Sequence, residues 1–253
     1  MSQQPNEQPP AARFLTCAQS RNVDERAIGS YGMSGLVLME NAGRGCADVL
    51  CGLGVSGPVL ICCGRGNNAG DGFVMARHLD LRGHRVKVLL WGEPDSLRDD
   101  AAANYRILAK SDVEIEICGG EVNEVAVSRQ LAEADWLVDA LLGTGSRGVP
   151  RPPLNSVIAA MNAVACRKLA VDLPSGLDCD TGFAADATFR ADHTCTFVAS
   201  KVGFLTESAG PFLGQVHVLD IGIPRKLLHE MLDQGVDASA RPGGRGHSAG
   251  PDR

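Results

Sequence analysis

From Val59 onward, short apolar runs alternate with longer amphipathic stretches, a rhythm that predicts strands separated by helices. Residues 59–63, 85–91, 114–117, 136–140 and 169–172 read as strands, and residues 72–81, 96–110, 122–134 and 154–166 as the helices between them. Such an order implies an α/β fold with a mostly parallel central sheet and helices on both faces. Ahead of it, residues 22–30 predict a helix, Tyr31-Gly32-Met33 a break, and Ser34 an N-cap for a helix reaching Leu50. After Asp172 the rhythm changes: residues 193–198 and 215–219 read as strands extending the sheet edge, and residues 224–233 as a short helix opened by Pro224. No internal repeat is present.

The two ends lack this patterning. Residues 1–12 are rich in Gln and Pro, and residues 241–253 have no apolar side chain able to anchor them. One domain over residues 13–235, with disordered tails at 1–12 and 236–253, is the expected organisation. A chain of 253 residues is long enough to bury a full α/β core.

Composition narrows the functional classes. A net charge of −6 with scattered basic residues argues against a nucleic-acid surface. The start lacks a basic-then-apolar leader and no stretch approaches a membrane span, so neither secretion nor membrane insertion is expected. Nine cysteines, none at C-x-x-C spacing and two adjacent in a strand, fit reduced core thiols and a cytoplasmic location better than a disulfide framework.

Three loops that follow strands carry the candidate chemistry, because ligands of open parallel sheets bind beyond the strands' carboxyl ends. The first, Gly64-Arg65-Gly66-Asn67-Asn68-Ala69-Gly70-Asp71-Gly72, has four glycines that admit positive φ and close ligand approach, and leads into a helix whose opening N–H groups suit a phosphate. Gly64, Gly66 and Ala69 meet the dinucleotide fingerprint, yet no acid ends the strand at 85–91 to hold a ribose, and an ordinary tight turn is an equal alternative. The second follows Asp139: Gly143-Thr144-Gly145-Ser146-Arg147-Gly148, a further anion-cradling nest. In the third, Asp172-Leu173-Pro174-Ser175-Gly176, Pro174 and Gly176 set a sharp turn that fixes Asp172 at a strand tip. Asp139 and Asp172 could instead cap the helices that follow, and Arg147 could be a solvated charge. The coincidence of two aspartates, Asn67, Asn68, Ser175 and two glycine loops at one sheet edge favours a site.

Asn68, Asp139 and Ser175 offer hard oxygen donors suited to K⁺, Na⁺ or Mg²⁺. The histidine and cysteine spacings do not suit zinc. Ser175 lies outside a G-x-S-x-G elbow, which argues against a nucleophilic triad.

Asn67-Asn68-Ala69-Gly70-Asp71-Gly72 with Ala76-Arg77-His78-Leu79, then Asp139-Ala140-Leu141-Leu142-Gly143-Thr144-Gly145, then Val171-Asp172-Leu173-Pro174-Ser175-Gly176-Leu177-Asp178 resemble three signature stretches of the YjeF N-terminal domain family, the NAD(P)H-hydrate epimerases. Residues 31–43, with Tyr31 to Gly43 in order, are similar to that family's opening helix, and Ala199-Ser200-Lys201-Val202-Gly203, Gly214-Gln215-Val216 and Asp220-Ile221-Gly222-Ile223-Pro224 to its closing strands. The resemblance runs from about residue 14 to about residue 230. It implies a Rossmann-like three-layer fold, a homodimer, and interconversion of the R and S epimers of hydrated NADH and NADPH, which carry a hydroxyl on C6 of the reduced nicotinamide ring. It implies K⁺ held by Asn68, Asp139 and Ser175, and contacts to this small-molecule substrate from Asn67, Asn68, Ala69, Gly70, Asp71, Gly143, Thr144, Gly145, Ser146, Arg147, Gly148, Val149 and Asp172. Ala69 stands where the family often has glycine, so its methyl is expected near the phosphate. In many relatives the domain is fused to a dehydratase, so the functional partner expected here is a separate ADP- or ATP-dependent NAD(P)H-hydrate dehydratase.

Inversion at C6 requires proton transfer to or from oxygen, whether hydroxide leaves or the ring opens. Asp172 is the candidate acid/base, with Lys201 or Arg147 stabilising charge or binding the diphosphate. The rival readings are a non-catalytic nucleotide-binding scaffold of the same fold and a nicotinamide dehydrogenase, the latter disfavoured by the missing ribose acid.

Overall fold

A computed structural model describes residues 13–119, 124–234 and 236–237. Seven strands form the central sheet: β2 (Val59–Cys63), β3 (Val86–Leu90), β4 (Glu114–Ile117), β5 (Trp136–Ala140), β6 (Arg167–Val171), β7 (His193–Phe197) and β9 (Gln215–Leu219). Their order is β4-β3-β2-β5-β6-β7-β9, and every neighbouring pair is parallel. Chain order reverses between β2 and β5, which opens a crevice beyond their carboxyl ends, where Gly64 and Leu141 begin. A second, three-stranded sheet sets β1 (Arg13–Leu15) between β8 (Ser200–Lys201) and β10 (Val236–Asp237).

Strand alternation divides the core. Val59, Ile61 and Cys63 face α2 (Gly35–Leu53), α3 (Asn67–Leu81) and α4 (Asp99–Leu108), while Leu60 and Cys62 face α5 (Glu124–Leu131) and α6 (Leu154–Ala163). Both faces of β2 and β5 are thereby buried, which is why β2 reads as a continuous apolar run and β5 as one interrupted only by Asp139. A third cluster packs α1 (Cys17–Gly29) through Val23 and Ala27 against Leu38, Ala42, Ile221 and Leu227, the last on α8 (Arg225–Asp233). A one-turn α7 (Gly210–Leu213) precedes β9.

The predicted strands and alternation are present; several boundaries differ. Helix α1 starts at Cys17, five residues earlier than the sequence suggests, because Thr16 and Gln19 form a reciprocal capping box. Helix α3 starts at Asn67, so six of the nine residues of the supposed glycine loop already belong to it. None of Gly64, Gly66, Gly70 or Gly72 has positive φ. They serve close packing instead: a Cβ on Gly64 would lie 2.1 Å from the Leu141 carbonyl oxygen, and one on Gly72 2.8 Å from Cys63 Sγ. Residues 236–237, assigned to the tail, form β10 and pair with Arg13 and Phe14. The remaining tail residues, 1–12 and 238–253, and the expected start of the fifth helix at 122 lie outside the described residues.

Candidate functional site

The loops after β2, β5, β6 and β7 meet in one cavity of about 540 Å³, within the range of small-molecule sites. Asp172 leaves β6 with φ +66°, a left-handed conformation that aspartate tolerates better than most residues. The turn behind it is closed by a bond from Leu177 N–H to the Pro174 carbonyl, with Gly176 at φ +93°. Asp172 Oδ2 accepts from Thr144 N–H at 2.9 Å, and Oδ1 stands 3.6 Å from Lys201 Nζ. The Lys201 ammonium also donates to the Phe197 and Ala199 carbonyls, at 3.1 and 3.3 Å, and is 1 % exposed. Before it, Val198 lines the cavity at φ +68°, a conformation costly for a β-branched residue and held here at a ligand site.

A second constellation lies one strand over. Asp139, fully buried in β5, accepts from Ser175 N–H (2.8 Å), Ser175 Oγ (2.7 Å) and Leu141 N–H (3.1 Å). Neither Asp139 nor Asp172 caps a helix. Burial pushes the Asp139 carboxyl up to about 6, although Ser175 and Leu141 pull the other way, and no ion pair among the described residues involves it. Asn68, in the first turn of α3, buries both amide atoms without a hydrogen-bond partner. Gly143 brings the two groups together: a Cβ there would lie 3.2 Å from both the Asn68 side chain and Asp172 Oδ2.

Asn67, Asn68, Asp71, Gly143, Thr144, Gly145, Ser146, Asp172 and Lys201 all line this cavity. Arg147, Gly148 and Val149 do not. They line an adjoining cavity of about 560 Å³ that shares Arg65, Leu142, Ser146 and Leu154 with the first. Only Gly148 of that loop's three glycines has positive φ. Ala69 and Gly70 are buried in α3's packing face, so the Ala69 methyl enters the core rather than crowding a ligand. Asp71 is held well above the ordinary carboxylate range by burial first, then by the charges of Asp172 and Asp24.

The sequence pattern missed the contribution of α1, whose Ser20, Arg21, Asp24 and Ile28 line the cavity, and of Arg65 and Asp100. Spacing of i, i+4 and i+8 along Ser20, Asp24 and Ile28 was visible, but a helix's second face looks solvated until its neighbours are known. Among the described residues no three His, Cys, Asp or Glu side chains gather as a metal cluster, and no helix is long and apolar enough to cross a membrane.

Comparisons with known proteins converge. The family described as YjeF-related protein N-terminus matches residues 35–203. A protein of Pirellula staleyi named NAD(P)H-hydrate epimerase is 49 % identical over 219 residues, covering 87 % of this chain and 96 % of that one. Its namesake in Rhodopirellula baltica is 43 % identical over 216 residues, covering 85 % and 87 %. The bifunctional NAD(P)H-hydrate repair enzyme of Moorella thermoacetica is 38 % identical over 85 % of this chain, which spans 41 % of that relative. The crystal structure of yeast ynu0 shares the fold, with TM-score 0.72, 21 % identity, and coverage of 92 % of this chain and 97 % of that one.

Proposed function

The chain belongs to the family of YjeF-related protein N-termini, and on that premise we propose that it is an NAD(P)H-hydrate epimerase, an isomerase of nicotinamide nucleotide repair that interconverts the R and S hydrates. The observation that carries this reading is Asp172, fixed at the β6 tip by Thr144 N–H, paired with Lys201, and facing a cavity large enough for a hydrated nicotinamide. The reacting carbon bears both a hydroxyl and the ring nitrogen. Expelling the hydroxyl as water lets the nitrogen lone pair form an iminium, and water returning to the other face completes inversion. Asp172 receives or returns the proton of that oxygen, and Lys201 holds the carboxylate in place. Asn67 and Asn68, in the first turn of α3, present backbone N–H groups of a helix N-terminus to the substrate's diphosphate, with Arg65 beside them.

K⁺ belongs to the same proposal. The donor set fits: Asn68 Oδ1 is buried with no hydrogen-bond partner among the described residues, Asp139 is a buried carboxylate in no ion pair among them, and Ser175 Oγ is bonded to it. Asn68, Asp139 and Ser175 would hold the ion, which supplies the positive charge that Asp139 lacks and so steadies the loops carrying Gly143 and Asp172.

The homodimer, the cytoplasmic location and a separate dehydratase that consumes the S hydrate complete the proposal. Nine free cysteines, six of them buried in the core clusters, support a reducing compartment. The decisive assay supplies NADH hydrate as mixed epimers with an S-specific dehydratase. Complete consumption only when this protein is added establishes the activity; an R remnant that persists equally with and without it refutes the reading. Sedimentation velocity tests the dimer.

A further inference from the structure

Inversion needs proton transfer at oxygen on both faces of C6, so one fixed acceptor leaves the chemistry half supplied. Asp172 has a donor at each oxygen, Thr144 N–H and the Lys201 ammonium, and is built to accept. The cavity contains a second reachable carboxylate on a different wall. Asp24 projects from α1, whose Val23 and Ala27 are buried in the core while Arg21, Asp24 and Ile28 turn to the cavity.

Helix α1 is held as firmly as a scaffold requires. Its first residue, Cys17, donates N–H to Asp180 Oδ1 at 2.6 Å and Sγ–H to the Thr144 carbonyl at 2.7 Å, so the residue that binds Asp172 through its N–H also anchors α1 through its C=O. At the far end Arg26 pairs with Glu230 of α8. The family match begins at Gly35, beyond this helix, so Asp24 stands outside the matched segment.

Resting on the epimerase reading, we propose that Asp24 is a further catalytic residue, the proton donor and acceptor that serves the C6 oxygen from the α1 wall while Asp172 serves it from the β6 wall. In one direction Asp24 gives its proton to the C6 hydroxyl. The C6–O bond breaks with its electron pair on oxygen, water departs, and the N1 lone pair becomes the second bond of the N1=C6 iminium. A water molecule then attacks C6 from the other face. Its oxygen supplies the new C–O electron pair, N1 recovers its lone pair, and the surplus proton passes to Asp172. The opposite direction exchanges the two roles, and solvent resets the protons.

The electrostatic surroundings suit a donor. Asp24 stays accessible because it faces an open cavity, yet it is crowded by the protein. Burial first, then Asp172 and to a lesser degree Glu25, push its carboxyl up to about 6 against the pull of Lys201. The other charged groups lining the same cavity are Arg21 on α1, Arg65 before α3, Asp71 on α3 and Asp100 on α4. Burial also holds the Asp71 carboxyl well above the ordinary range, but at 8 % exposure it is far less available to a substrate than Asp24.

The test compares Asp24→Asn and Asp24→Glu with the exposed neighbour variant Glu25→Gln, on purified R and S hydrates of NADH. Asp24→Asn is expected to lose roughly 10²-fold or more in kcat with KM within about threefold of wild type, as for removal of a general acid. Wild-type kcat/KM is expected to fall as pH rises above about 6, where Asp24 loses its proton, and Asp24→Asn to lose that limb. Asp24→Glu should restore part of the rate and the limb, and Glu25→Gln should match wild type. An Asp24→Asn enzyme with near wild-type kcat, a rise in KM alone, or the limb unchanged overturns the proposal. Wild-type protein inactive on both hydrates would instead overturn the epimerase reading itself.

Discussion

Asp172 Oδ1 stands 3.6 Å from Lys201 Nζ, and both residues are almost wholly withdrawn from solvent. The pair joins the β6 tip to the strand that closes the small sheet, so the carboxylate's position depends on two distant parts of the chain. Asp172→Asn keeps the shape but not the basicity. Epimerisation should fall roughly 10²–10⁴-fold while the far-ultraviolet dichroism is unchanged. Wild-type turnover by this variant would remove Asp172 from the mechanism.

Lys201→Met should hurt stability more than Asp172→Asn does. It leaves Asp172 buried without its cation, a loss of about 3–5 kcal/mol in comparable pairs. Calorimetry should show a Tm lowered by roughly 6 °C or more, and adding Asp172→Asn should recover part of it. Additive losses in the double variant would show that the two charges do not interact.

Potassium should stabilise the protein where a bulky cation cannot. At pH 7.5, exchanging tetramethylammonium for K⁺ is expected to raise Tm by several degrees, the effect of a ligand well above its dissociation constant. Asp139→Asn should abolish that gain and lower Tm in both salts, because an amide N–H₂ would face Ser175 N–H or Oγ–H. Equal Tm in both salts for the wild type would argue against the site.

Gly143 separates Asn68 from Asp172, and a side chain there would have to push one of them aside. Gly143→Ala would press its methyl on both at 3.2 Å, and a displacement of that kind costs up to roughly 10²-fold in turnover. Steady-state kinetics should show the loss in kcat, while Tm moves little, since Gly143 does not need positive φ.

At the opposite end of the sheet, Asp135 predicts an acid-dependent contribution. Partial burial works against its charge, yet the Ser56 and Gly57 N–H groups, Ser56 Oγ and Arg167 hold its carboxyl down to about 2. Because the folded value is depressed below the ordinary 3.8, the native state binds fewer protons, and the stabilisation is complete above 3.8 and lost as pH falls through about 2. Asp135→Asn should therefore lower Tm near neutrality, with the gap to wild type narrowing between pH 4 and pH 2 in a calorimetric series. A constant gap would mean that packing, including Arg167 stacked 4.5 Å over Trp136, carries the effect.

The strand-helix rhythm was legible because β2 and β5 are buried on both faces, and a segment that must exclude water on every side shows it in five consecutive apolar residues in β2 and in all but Asp139 of β5. The three loops were legible because strand ends in a parallel sheet share one edge. The start of α3 was not, since glycine speaks locally against helix and only the contacts with Met39, Cys63 and Ala140 explain its presence there. Nor was the second wall of the cavity. Asp24 sits on a polar helix face whose sequence is the same whether it meets water or substrate; packing of Val23 and Ala27 against α2 and α8 turned it toward Asp172. The sequence by itself determined the fold class and the family, because periodic burial and ordered motifs are local properties of the chain. Which charges face one another across the cavity was decided only by tertiary structure, because electrostatic pairing depends on distance in space and not on separation along the chain.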